Sequence, residues 1–264
     1  TAVKVIMTNK DRPFLLLMPV NFPHYPERAR KRFEAVYKDI ADPARRSYAA
    51  IVSTTDHYIG QIVDKLEALG LRENTIIIFM SDNGHSEETG NRIRVDNHRS
   101  GYPKGHFYGA SGGGSTGKWI GQKGSFLEGG VRVPAIISYP AKLPKGEVRG
   151  QIITAMDWLP TVLDLCGVQQ PSNSPKLDGH SVLPLIRSAK AKSKYKILHF
   201  AWGKKWAVRE GDWKLIGSNG NTKVSLRNLV DAKPEAKDYA EAKPEIVLRL
   251  RTLHSSWVKE VLPK

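Results

Sequence analysis

The chain has 264 residues, 40% hydrophobic and 25% charged, ordinary values for one large α/β domain or a domain plus a small appendage. No apolar run approaches the roughly 18 residues of a membrane span, which excludes a transmembrane helix. The 41 basic and 26 acidic residues give a formal charge of +15, and such an excess favours polyanionic partners: sulfated or phosphorylated polymers, nucleic acid or anionic membrane surfaces.

In chain order, Pro13 to Val20 is a short apolar run and predicts a buried strand. A loop, Asn21 to Pro26, follows it. Arg28-Ala29-Arg30-Lys31-Arg32 lacks interleaved aromatics and reads as a solvated face rather than a nucleic-acid patch. Asp42-Pro43 opens a helix, with Asp as N-cap and Pro at the first helical position. Ile59, Ile62, Val63 and Leu66 give it a core-facing stripe, and Gly70 is placed to end it. Thr75 to Met80 predicts a buried strand. Residues 84–130 are rich in glycine, charge and histidine, with little periodicity, and a loop of that length is usually functional or disordered. Val131 to Tyr139 predicts the next strand and Asp157 to Cys166 a helix, with Pro160 tolerated in its first turn. Cys166 is the only cysteine, so an intrachain disulfide is excluded, and its apolar helix marks it as a small core residue. After a linker, Pro171 to Asp178, strands are expected at Ile197–Trp202 and Trp206–Ile216, the latter bent or broken near Glu210-Gly211-Asp212. Pro244 to Val261 predicts an amphipathic helix anchored by Ile246, Leu248, Leu250, Leu253, Trp257 and Val261.

Alternation of strand, helix and strand suggests an α/β fold, with a mostly parallel or mixed sheet flanked by helices and a small C-terminal α+β appendage. The expected division is residues 1–190 for the α/β part and 191–264 for the appendage. The chain starts at Thr1 without Met or a signal-peptide pattern, and so reads as a processed or truncated product.

The most informative segment is Ser81-Asp82-Asn83-Gly84, where the strand 75–80 stops in a tight turn. In open α/β sheets ligands bind just beyond the carboxyl ends of the strands. Asp82 and Asn83 offer two hard oxygens of the kind that suit Ca²⁺ or Mg²⁺; the plainer reading is a turn with Asp82 as a cap. His24, between Pro23 and Pro26, is displayed on a stiffened loop, where it could bind an oxyanion or protonate a leaving group, or simply face solvent. Lys123 in Gly121-Gln122-Lys123-Gly124 could approach an anion closely, or could sit on a flexible surface loop. Gly112 to Lys118 matches the first part of a phosphate-binding P-loop, but Trp119 stands where Ser or Thr must hold Mg²⁺. His85, Glu87, Glu88, His98, Lys104 and His106 are further pocket candidates.

Taken together, the His-x-Pro-type loop, the strand Thr-Ile-Ile-Ile-Phe-Met-Ser-Asp-Asn-Gly and the run Lys123-Gly-x-x-x-Glu-Gly-Gly-x-Arg-x-Pro resemble the sulfatase family of the alkaline-phosphatase-like superfamily. Tyr48, Asp56, Gly60 and Leu66 stand where that family carries Tyr, Asp, Gly and Leu. Asp157-Trp158-Leu159-Pro160-Thr161, Leu177-Asp178-Gly179-His180-Ser181 and Ala207 to Ile216 fit it too, so the likeness spans nearly the whole chain. The resemblance implies that Asp82 and Asn83 are metal ligands, for Ca²⁺ ahead of Mg²⁺. It implies that Lys123 binds the sulfate group and that His24 contacts the ester and protonates the leaving oxygen. It further implies a sulfated small molecule or sulfated polysaccharide as substrate, no nucleic acid, and a periplasmic, extracellular or lysosomal location.

One departure is large. The family's Cys-x-Pro-x-Arg or Ser-x-Pro-x-Arg signature, the source of its formylglycine nucleophile, is absent from these residues, as is any Asp-Asp pair to complete the metal site. The chain therefore resembles the C-terminal part of a sulfatase, with formylglycine expected in an upstream segment and no activity expected from these residues alone. Two rivals remain at this level: a phosphatase, phosphodiesterase or phosphonate hydrolase of the same superfamily, and a non-catalytic basic domain that binds polyanions.

Overall fold

A computed structural model of the protein describes residues 2–24, 29–86, 93–94, 107–108 and 114–261. They divide into two compact units, Thr1–Ile137 and Ser138–Lys264. In the first unit three helices come before the first strand: α1 (Ala2–Asn9), α2 (Lys31–Val36) and α3 (Pro43–Ala68). Then follow strand β1 (Ile77–Met80), a two-residue antiparallel pair β2 (Ile93–Arg94) and β3 (Phe107–Tyr108), the short helix α4 (Glu128–Val131), and β4 (Ala135–Ser138), which pairs with β1.

The long helix forms for the reasons its sequence gives. The Asp42 carboxylate accepts from the Arg45 backbone N–H at 3.3 Å, which satisfies one of the orphan donors of the first turn. At the other end Gly70 has φ +67 and donates to the Glu67 carbonyl, while the Leu71 N–H donates to the Leu66 carbonyl. That left-handed residue is the usual glycine stop. The core face of α3 lies further toward its start than the expected stripe: Ala50, Ile51, Thr54 and Leu66 are buried, as is Ile6 of α1. Ile59, Ile62 and Val63 are half-buried. The described part of the basic tract is solvent-facing as expected, with the Arg30 guanidinium 5.0 Å from the Tyr58 ring.

Three expectations for this unit need correction. Pro13 to Val20 forms no strand: Leu15 is 89% exposed and Leu17 84%, and no described strand pairs with the segment. An apolar run signals burial, but a strand exists only where a neighbour completes its ladder. The strand expected at 75–80 begins at Ile77, because Thr75 closes the 3₁₀ turn Arg72–Asn74, and it is half-buried, with Phe79 exposed. The strand expected from Val131 is a helical turn up to that residue and extended only from Ala135, after Pro134. Gly112, Gly113, Glu87, Glu88, His98, Lys104 and His106 lie outside the described residues.

The second unit contains α5 (Trp158–Cys166), α6 (Leu183–Arg187), an antiparallel sheet in the order β5 (Ile197–Trp202), β6 (Lys205–Glu210), β7 (Trp213–Ser218), β8 (Ser225–Asn228), and α7 (Pro244–Val261). The break expected at residues 210–212 is a two-residue hairpin loop, Gly211-Asp212, and Gly203-Lys204 makes another. Both glycines have positive φ, 56 and 57, as tight hairpin loops of matching twist require. Trp206, Val208, Leu215, Leu226 and Leu250 form the core between this sheet and α7. The helix turns Leu248 and Val261 to solvent, contrary to the expected anchor set, and buries His254 instead. Leu250, Leu253, His254 and Trp257 keep the three- and four-residue spacing of one helix face, which Leu248 does not. Cys166 is exposed, not core, while Thr161 and Leu165 carry the buried face of α5.

Polar groups are buried in this unit with partners. Asp157 is fully buried: one oxygen accepts from the His180 N–H at 3.0 Å and the Tyr195 hydroxyl at 2.6 Å, the other from the Thr154 N–H at 2.7 Å. Burial and then the Asp157 bond push the Tyr195 phenol up to about 12. A Cβ on Gly179 would lie 2.1 Å from the Met156 carbonyl oxygen, so the Asp157 and Asp178-Gly179-His180 motifs lock together backbone to backbone. Under α7, His254 stacks on Trp206 and His199 on Trp257, at 4.3 and 4.8 Å between ring centres. Burial, aided by the nearby His254, pulls His199 down to about 4, so both rings sit neutral in the stack near pH 7.

Lys214 and Glu235 are both fully buried, 2.9 Å apart. Taking two charges out of water is costly, and their attraction offsets that cost only while both are present. Glu235→Gln should therefore destabilise the chain by about 3–5 kcal/mol, whereas Lys214→Met with Glu235→Leu should recover most of the loss. Urea unfolding of the three proteins measures this. A single variant within error of the parent would show that the pair carries no such coupling.

Candidate active site

The site residues proposed from sequence all fall in the first unit. At the end of β1 the chain turns sharply. Ser81 Oγ donates to the Asn83 carbonyl at 2.8 Å, and the Asn83 N–H donates to Asp82 Oδ1 at 2.9 Å. The Asn83 side-chain amide donates to the Gly84 carbonyl at 2.8 Å. That bond occupies the Nδ2 end and leaves Oδ1 as the ligand end, next to an exposed Asp82.

Gly84 is required by its neighbour. Its N–H donates to the Gly130 carbonyl at 2.9 Å, and a Cβ would fall 1.7 Å from the Gly129 oxygen. The Glu128-Gly129-Gly130 turn is just as tight: added Cβ atoms would lie 2.3 Å from the Gly121 oxygen and 2.2 Å from the Ser125 oxygen. Residues 120–125 are thus wrapped against α4, and the strand end is pressed against the same turn. Glu128, buried, holds the far side through Arg132, whose Nε donates at 2.6 Å and whose guanidinium lies 4.1 Å from the Trp119 ring centre.

Lys123 stands at the apex of this wrap. The Ser125 N–H donates to the Gln122 carbonyl at 2.9 Å, and Gly124 has φ +83. Those are the marks of a type II turn, whose third residue must have positive φ. The Lys123 N–H donates to the His85 carbonyl at 2.9 Å, which ties the lysine to the segment leaving the strand end. Its ammonium reaches across 99 positions of sequence to His24, with Nζ 3.0 Å from Nε2. Both side chains are exposed. For Nζ to donate to Nε2 that ring nitrogen must be unprotonated, which places the imidazole proton on Nδ1. The loop under His24 is closed by its N–H donating to the Asn21 carbonyl at 2.8 Å.

The structure therefore brings Lys123 and His24 together and sets Asp82 and Asn83 at a strand end joined to the same turn. Asp82 and Asn83 are hard oxygen donors and fit Ca²⁺ or Mg²⁺ as part of a ligand set. Among the described residues no three His, Cys, Asp or Glu side chains cluster to hold a metal. Sequence reasoning missed what fixes this site: three close glycine contacts and the Glu128–Arg132–Trp119 brace. Its signals were the doubled glycine beside an acidic residue and the four-residue spacing of Glu128 and Arg132.

Comparison with known proteins agrees with this architecture. Residues 1–168 match the family model Sulfatase, and residues 118–245 match the model described as N-sulphoglucosamine sulphohydrolase, C-terminal. This chain belongs to the sulfatase family. Mouse steryl-sulfatase is 31% identical over 210 residues, covering 79% of this chain and 30% of that protein. Dog N-acetylgalactosamine-6-sulfatase is 31% identical over 176 residues, covering 67% of this chain and 29% of that protein. Among solved structures, Ps i-CgsB in complex with k-i-k-neocarrahexaose has a TM-score of 0.75 at 25% identity, covering 97% of this chain and 52% of that one. The fold is thus part of the alkaline-phosphatase-like α/β architecture. The chain spans about 30% of the length of these curated relatives and about half of the solved one.

Proposed function

We propose that this chain is part of a sulfuric ester hydrolase whose substrate is a sulfated glycan. The observation that carries the reading is the Lys123–His24 pair, 3.0 Å apart at an apex tied to the strand-end Asp82-Asn83 turn. A sulfate group brings acceptor oxygens to both cation-forming side chains. Lys123 then turns its ammonium from His24 to the sulfate oxygens, which neutralises charge on the transferring group. His24, released from Lys123, takes up a proton from solvent on Nε2 and gives it to the ester oxygen as the S–O bond breaks. The products are an alcohol and sulfate, with water supplying the new oxygen on sulfur. Asp82 and Asn83 would hold the cation, Ca²⁺ ahead of Mg²⁺, and a bound cation adds Lewis-acid stabilisation of the same charge.

The charge of +15, the sugar in the name N-acetylgalactosamine-6-sulfatase and the oligosaccharide bound to Ps i-CgsB favour a sulfated polysaccharide over a sulfated small molecule. Such polymers place the reaction in a periplasm, outside the cell or in a lysosome. These residues hold no Cys-x-Pro-x-Arg or Ser-x-Pro-x-Arg signature, so we assign the formylglycine nucleophile to residues other than these and expect no turnover from the 264 residues by themselves.

The test is a comparison of leaving anions. The enzyme that joins these residues to a formylglycine should release sulfate from an aryl sulfate and from a sulfated galactan oligosaccharide, and should cleave the matching aryl phosphate far more slowly. Faster phosphate release would overturn the reading in favour of a phosphatase. Salt-sensitive binding of the sulfated oligosaccharide without any turnover would overturn it in favour of a polyanion-binding protein.

A further inference from the structure

One end of the four-stranded sheet carries an arrangement that the cleavage site does not use. Trp202 is the last residue of β5 and is 63% exposed. It is paired across the strands with Lys205, and Lys205 is paired with Ser218, so the three side chains leave the sheet on one face. Their neighbours Ala201, Trp206 and Gly217 are on the other face, where Trp206 stacks under α7. The Lys205 ammonium lies 5.8 Å from the Trp202 ring centre.

The tip is fixed in shape. Gly203-Lys204 is a two-residue hairpin loop, and the Asn219 N–H donates to the Lys204 carbonyl at 2.7 Å, which ties the next strand connection to it. That connection, residues 219–224, includes Lys223, whose N–H donates to the Asn221 side chain at 2.9 Å. Residues 201–206 and 217–225 contain three lysines and no Asp or Glu. An exposed indole beside the Lys205 ammonium, on a tip that carries two further exposed lysines and no acidic residue, matches a ligand that has both apolar C–H faces and anionic oxygens. A sugar ring offers the first, and its sulfate esters offer the second.

We propose that Trp202, Lys204, Lys205 and Lys223 form an auxiliary binding site for a sulfated polysaccharide chain. The indole stacks on a sugar ring and the lysines pair with sulfates of that residue and its neighbours. The choice of a glycan over other polyanions rests on the sulfated-glycan reading above. The site shares no residue with Asp82, Asn83, His24 or Lys123 and lies in the other compact unit. It holds polymer rather than cleaving it.

The test is binding of the 264-residue chain to immobilised ι-carrageenan at several salt concentrations. Trp202→Ala and the double variant Lys204→Ala/Lys205→Ala should each weaken binding roughly ten-fold, and the double variant should also flatten the salt dependence. Melting temperatures should stay at the parent value, because these side chains are exposed. Lys192→Ala, at an exposed lysine ahead of the other end of β5, should keep the parent's polymer binding, and a ten-fold loss there as well would overturn the proposal in favour of diffuse charge attraction. Desulfated carrageenan should bind weakly to every form. Unchanged affinity in both tip variants would overturn the proposal, as would equal binding of desulfated polymer. Tighter capture by single-stranded DNA or by anionic vesicles than by carrageenan would assign the tip to a different partner. Absence of sulfate release in the enzyme assay would undo the hydrolase reading while leaving this binding result standing.

Discussion

Replacing Lys123 with alanine is expected to lower turnover of a sulfate ester by roughly 10²-fold or more in the enzyme that joins these residues to a formylglycine. Lys123 sits on a type II turn whose backbone is bonded to His85 and packed on the Glu128-Gly129-Gly130 turn, so the base of its side chain is set before substrate arrives and only the ammonium has to swing from His24. Once that swing is made in the bound complex the charge needs no further reorganisation in the transition state, which is why its removal should be felt in kcat as well as in KM. Lys123→Arg should rescue poorly, since a planar guanidinium cannot occupy the place of a compact ammonium 3.0 Å from His24. The companion variant His24→Ala should behave differently. An alkoxide leaving group needs a proton and an activated phenoxide needs little, so the loss should be large for a sugar sulfate and small for a nitrophenyl sulfate. Rates for both variants over a leaving-group series decide this. A Lys123→Ala enzyme within a few-fold of the parent would remove the lysine from the sulfate site, and a flat His24→Ala series would reduce His24 to positioning substrate.

What the sequence revealed and what it hid follow one physical division. Elements whose signal is local were legible. The helix opened by Asp42-Pro43 and stopped at Gly70 is there, as is the C-terminal helix over Pro244–Val261, because caps, glycine stops and apolar periodicity act within a few residues. Gly211-Asp212 announced a break that proved to be a hairpin loop. Features that depend on a distant partner were not legible. Pro13 to Val20 has the composition of a strand, yet Leu15 and Leu17 face solvent and no described strand meets it. Leu248 looks like an anchor until the register of α7 on the sheet is known, and then His254 takes the buried place.

The candidate site divides the same way. Asp82-Asn83 at a strand end could be read from a short apolar run and a turn. The meeting of Lys123 with His24 could not, since 99 positions separate them and nothing in either segment specifies the other. Only the likeness of spaced motifs to the sulfatases linked them. The glycines that bring the two segments together are visible as letters, but the carbonyl oxygens that exclude a Cβ at Gly84, Gly129 and Gly130 appear only in three dimensions.

Asp82→Ala is expected to have the other large effect, and on two separate readouts. The carboxylate is exposed at the turn, and its Oδ1 already accepts the Asn83 N–H, so its direction is held by the backbone of its neighbour. Asn83 in turn has its amide nitrogen fixed on the Gly84 carbonyl, which orients its oxygen. Two oriented oxygens, one of them charged, contribute to a hard-cation site far more than two mobile ones. Ca²⁺ takes six to eight oxygens, so this pair alone should bind it weakly, and calorimetric titration of the 264-residue chain should show low affinity at most. In the enzyme that supplies the remaining ligands, Asp82→Ala should abolish tight Ca²⁺ binding by titration and most sulfate release by assay. Asp82→Asn should fall between, keeping the oxygen and losing the charge. Because removing an exposed side chain costs little folding energy, the melting temperature of the metal-free protein should hardly move. Unchanged Ca²⁺ titration together with an unchanged rate in Asp82→Ala would take the cation site away from this strand end. A lost rate with intact Ca²⁺ binding would reassign Asp82 from metal ligand to substrate contact.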